Sequence, residues 1–79
     1  MLKVAKPVGI ILHINEDLQS AQINNLESSL GNNNGITKAR FNTKRNHLML
    51  VDYMSDVVSA REVLGYVHNH GYQASLVGG

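Results

Sequence analysis

Four histidines supply the nitrogen donors of this chain: His13, His47, His68 and His70. There is no cysteine. That excludes disulfide staples, thiolate metal centres and a cysteine nucleophile. Imidazole with carboxylate suits zinc or another divalent ion. Imidazole with the Met49 thioether suits a softer or borderline one. Two constellations follow from spacing. His13 and His47, with Met49 two residues on, fall on two stretches that read as strands and form a His/His/Met surface if those strands are neighbours. His70 approaches the acidic segment at Glu16 if the second helix ends beside it. The competing reading makes His13 and His47 ordinary polar pairs on a sheet, and His68 and His70 polar complements to a helix C-terminus. Catalytic motifs are lacking: no Gly-rich phosphate loop, HExxH, paired-carboxylate motif or Ser/His/Asp order stands out. A non-enzyme is expected.

The elements that must position these residues are legible from periodicity. Val8, Ile10, Leu12 and Ile14 alternate at period two, the pattern of a strand with one buried face. Glu16 and Asp17 follow where a helix begins, at the positive end of its dipole. Ile23, Leu26 and Leu30 recur at helical spacing up to Gly31. Gly31-Asn32-Asn33-Asn34-Gly35 is loop. Ile36 to Asn42 reads as a second strand, Lys44-Arg45-Asn46 as a hairpin turn, and Leu48-Met49-Leu50-Val51 as the opening of a third strand, apolar at both parities. Asp56 is a candidate cap for a second helix carrying Val57, Ala60, Val63, Leu64 and Val67. Gly71 ends it, and Tyr72 to Val77 forms a last strand. The order β-α-β-β-α-β defines an α+β ferredoxin-like sandwich, a four-stranded antiparallel sheet with both helices on one face.

With 79 residues, 43% of them hydrophobic and 16% charged, the chain is expected to fold as a single domain over 1–79. The net charge of +1 argues against unspecific binding to nucleic acid or anionic membrane. Lys3 and Lys6 precede the apolar run Val8 to Leu12, but no cleavage pattern follows it. The run therefore reads as a strand of a cytoplasmic protein rather than as a signal peptide.

In that element order the chain resembles the heavy-metal-associated domain, the fold of copper chaperones and of the N-terminal modules of metal-pumping ATPases. The resemblance rests on Val67-His68-Asn69-His70-Gly71-Tyr72-Gln73-Ala74, matching an apolar residue, three positions and Gly-Tyr-x-Ala. It rests also on the first-helix stripe, the Gly35-Ile36 step and acidic residues after the third strand. It spans roughly Val8 to Val77. The family pattern implies Met-x-Cys-x-x-Cys between the first strand and first helix. Counted back from Ile23, those positions are Ile14, Glu16 and Gln19. A carboxylate and an amide are hard oxygen donors, poor ligands for Cu(I). The resemblance thus implies the scaffold of a metal carrier without its thiolates. Function is expected in protein–protein contact or self-association, with a divalent metal through His and Glu as the alternative.

Two surfaces stand out for contact. Ile11, Met49 and Val51 are expected to face away from the helices, as an apolar sheet face suited to a partner or to a second copy. Lys38, Arg40, Lys44 and Arg45 gather four of the seven Lys and Arg residues on the hairpin. They can dock an acidic surface, or simply solvate the hairpin and discourage edge pairing. The RNA-recognition fold shares this topology, but Phe41, Tyr53, Tyr66 and Tyr72 do not fall in its aromatic motif. An acylphosphatase would need a phosphate loop with an arginine after the first strand, which is lacking.

Overall fold

A computed structural model describes residues 7–42, 44 and 47–77. Its elements are β1 (Pro7–Ile14), α1 (Ser20–Gly31), β2 (Ile36–Phe41), β3 (Leu48–Met54), α2 (Ala60–Asn69) and β4 (Ala74–Val77). The four strands form one antiparallel sheet in the order β2-β3-β1-β4. The topology is the ferredoxin-like sandwich expected from the sequence. β1 and β3 are the central strands, in register Leu12↔Met49 and Ile11↔Leu50.

Period-two burial decides which side of the sheet is dry. Leu12 and Ile14 of β1 and Met49, Val51 and Tyr53 of β3 lie in the core. Leu26 and Leu30 of α1 and Val63 and Val67 of α2 join them. Met49 and Val51 are both fully buried, at 0% exposure. This corrects the expectation that they face away from the helices. β3 is apolar at both parities, so its own pattern could not choose a face. Pairing with β1 chose it, because cross-strand partners share a face and Leu12 belongs to the core.

Both helices start later than the acidic residues suggest. Glu16 and Asp17 precede α1, whose N-cap is Gln19. The helix-dipole attraction is worth only about 0.3–1 kcal/mol. Here both carboxylates are taken up by partners elsewhere in the fold, while Leu18 is buried between them and the helix. The cap of α2 is Ser59, not Asp56. Ser59 Oγ accepts from the Glu62 N–H and Glu62 Oε1 accepts from the Ser59 N–H, both at 3.1 Å. This reciprocal box satisfies two of the donors that a helix start leaves free. Val57 and Val58 sit instead in a turn, with their N–H groups on the Met54 carbonyl. β4 begins at Ala74 rather than Tyr72.

Gly35 is required where it stands. Its φ is +95°, and a Cβ there would run into Val58 and lie 2.8 Å from the Val57 Cγ1. Its carbonyl accepts from the Met54 N–H at 2.7 Å, which ties the loop after α1 to the end of β3.

Candidate functional site

The segment between β1 and α1 holds Glu16 and Gln19, and each has a structural task. Both Glu16 carboxylate oxygens accept from the Gln73 backbone N–H, at 2.9 and 3.0 Å. The neighbouring Asn15 N–H donates to the Gln73 carbonyl at 2.8 Å. The start of the loop is thereby fastened to the approach to β4. Gln19 caps α1, and its own N–H donates to Gln22 Oε1 at 2.9 Å. The donor atoms here are oxygens, and those of Glu16 are already engaged. This loop does not fit a soft ion such as Cu(I).

His13 and His47 do come together. Their rings stack with centroids 5.6 Å apart and planes 17° from parallel. His47 is the better held. Its Nδ1 donates to the Ile14 carbonyl at 2.6 Å, and its backbone carbonyl accepts from the Ile14 N–H at 2.8 Å. Nε2 lies 2.9 Å from Asp17 Oδ1. With Nδ1 protonated, an imidazolium donates from Nε2 to the carboxylate. The neutral ring turns the Nε2 lone pair to the same place. Asp17, expected at the start of the first helix, is instead the acidic neighbour of the histidine pair. Met49 is not part of it, since its side chain is buried on the opposite face.

His70 does not reach Glu16. It is the C-cap of α2 and exposed, while Glu16 is met by Gln73. His68 Nε2 donates to the Ala74 carbonyl at 3.0 Å. Among the described residues no three His, Cys, Asp or Glu side chains gather as a metal-holding group.

The face of the sheet away from the helices carries an exposed aliphatic row. Ile11 stands opposite Leu50 on one side and Val77 on the other. These three are 37%, 48% and 44% exposed, whereas Met49 and Val51 beside them are closed off. Of the apolar face expected from the sequence, Ile11 alone remains, and Leu50 and Val77 complete it. Alternation with the buried Met49 and Val51 was the available signal, once the face of β1 was assigned. Arg40 pairs with Leu50 at the β2 edge, and Lys38 pairs with Asp52. Lys44 is exposed on the hairpin, its N–H on Asn42 Oδ1. Arg45 lies outside the described residues. No described helix is long and apolar enough to cross a membrane.

The fold is that of the heavy-metal-associated domains. A copper-binding domain from HMA7, a P-type ATPase, superposes with a TM-score of 0.78 at 22% identity, covering 87% of this chain and 92% of that one. Oxidized MerP from Ralstonia metallidurans CH34 gives 0.79 at 14% identity, over 91% and 99%. The CopZ metallochaperone gives 0.76 at 24% identity, over 86% and 100%. The resemblance read from the sequence is thus a resemblance of fold, and the lack of any cysteine sets this chain apart from the Met-x-Cys-x-x-Cys pattern. No family model matches the sequence, and no curated protein matches it.

Proposed function

We propose that this chain is a small, non-enzymatic binding module that uses the metal-carrier scaffold for protein contact through the open face of its sheet. The observation behind this reading is the row Val77–Ile11–Leu50, left in solvent by a sheet whose other face is covered by two helices. Apolar side chains grouped on an exposed face favour a partner. The loop that would carry thiolates is instead committed to holding β4 and capping α1. A photo-crosslinking side chain placed at Leu50 should trap a partner in cells. The same group at Val57, exposed at 49% in the turn before α2, should trap none. Equal adducts from both positions, or none from Leu50, would remove the sheet face as the contact surface. Solution mass separates the homo-oligomeric version from the heteromeric one.

One observation favours a second reading, divalent metal binding at His47. A ring nitrogen held by a backbone carbonyl, with the other nitrogen beside a carboxylate, is the arrangement that orients a metal-ligating histidine. His47 and Asp17 offer one nitrogen and one oxygen donor, suited to zinc or nickel rather than Cu(I), and the stacked His13 ring reports on them. Titration with Zn²⁺, followed through the histidine ring NMR signals, should shift His47 and His13 together and leave His68 and His70 in place. A uniform response of all four, or none, rules the reading out.

A further inference from the structure

We infer that the partner of the open face is an acidic protein segment with aliphatic side chains, lying across the strands rather than adding a strand at an edge; this rests on the binding-module reading above. The edges come first. The Asn42 N–H donates inward to the Leu48 carbonyl at 2.8 Å. The N–H of Phe41, one residue earlier, therefore points out from the β2 edge. Glu27 of α1 takes it, with Oε2 2.8 Å away. At the other edge the Gln73 carbonyl accepts from Asn15, so that of Ala74 points outward, where His68 of α2 donates to it. Each edge strand thus has an outward backbone group occupied by a helix side chain, and strand addition would have to displace it. Among the described residues nothing of this kind occupies the open face, where Ile11, Leu50 and Val77 stay exposed.

Charge then selects the chemistry of the occupant. Along β2 the open face presents Lys38 and Arg40, with Lys44 following on the hairpin. Beside these bases stands Asp52, opposite Lys38, while Asp17 is held at the far end of β1 beside the His13–His47 pair. Among the described residues no carboxylate forms an ion pair with Arg40 or Lys44. Aliphatic side chains over Ile11, Leu50 and Val77, with carboxylates reaching Arg40, match this layout of apolar centre and basic rim. A second copy fits it less well. Stacked face to face with strands aligned, it sets β2 against β2 or against β4. Lys38 and Arg40 then meet each other or Ser75 and Val77, and the carboxylate each copy brings beside them is Asp52, which already stands opposite its own Lys38.

The test adds a short alternating Leu/Glu peptide, and separately its Leu/Lys counterpart, to the ¹⁵N-labelled full chain. The acidic peptide should shift the amides of Ile11, Arg40, Leu50 and Val77 and spare the 16–19 loop; the basic one should shift none. Leu50→Asp should weaken binding about tenfold or more, and Arg40→Glu about fivefold. Both positions are exposed, so circular dichroism should be unchanged. If both peptides shift the same amides alike, the face stands as a docking surface and the acidic chemistry is overturned. Silence at those amides with both peptides overturns the face reading as well. A dimeric free chain that Leu50→Asp makes monomeric assigns the face to a second copy, and a response to an RNA oligonucleotide alone assigns it to nucleic acid. Either result overturns the inference.

Discussion

Glu16 and Gln73 are 57 positions apart in the chain, yet both carboxylate oxygens of the first accept from the backbone N–H of the second. The contact joins the exit of β1 to the entry of β4. The carboxylate fastens the two strands to each other at that end of the sheet.

Removing the fastening should loosen one corner of the molecule and leave the fold standing. Glu16→Ala leaves the Gln73 N–H to solvent. For an exposed hydrogen bond of this kind the cost is about 1 kcal/mol. Amide exchange at Gln73 should accelerate while that at Val51 stays slow. Unchanged exchange at Gln73 would show that the contact holds nothing.

The scaffold itself should still accept thiolates. In the double variant Glu16→Cys with Gln19→Cys, the second thiol sits at the N-cap of α1, where the helix terminus favours the thiolate. Competition against a chromophoric Cu(I) chelator should show one ion bound by the variant and none by the parent chain. A variant that competes no better than the parent would mean that positions 16 and 19 are not placed to share one ion.

Neighbouring residues of β3 should respond in opposite ways to truncation. Met49 is fully buried and Leu50 is 48% exposed. Met49→Ala should cost about 2–5 kcal/mol in urea unfolding, and Leu50→Ala about 0.5 kcal/mol or less. The reverse order would require β3 to be shifted by one residue against β1.

Ser59 and Asp56 compete for the start of α2, and the hydrogen bonds favour Ser59. Ser59→Ala should lower stability by about 1 kcal/mol. Asp56→Ala should leave it within about 0.5 kcal/mol. Thermal unfolding of the two variants distinguishes the caps.

The signal for that cap was present in the sequence. Ser59-Ala60-Arg61-Glu62 has the spacing of a capping box, whereas Asp56 has Ser59 and not Glu or Gln three residues on. The displaced start of α1 is different in kind. Glu16 and Asp17 look like first-turn residues, and nothing local says that Gln73 and His47 will claim them. The stacking of His13 and His47 was foreseeable from two central strands; the exclusion of Met49 from that pair was not.

By itself the sequence determined the order of elements, the antiparallel sandwich they close into and the absence of a thiolate site. Those follow from periodicity, from glycines at chain reversals and from residue identity, all of which are local. The tertiary structure alone decided which face of β3 is dry and where the carboxylates of the first loop go. It also decided that Leu50 and Val77, with Ile11, make the exposed row. A strand apolar at both parities carries no internal preference for a face. Only pairing with β1, whose Leu12 and Ile14 must be buried under the helices, breaks that symmetry.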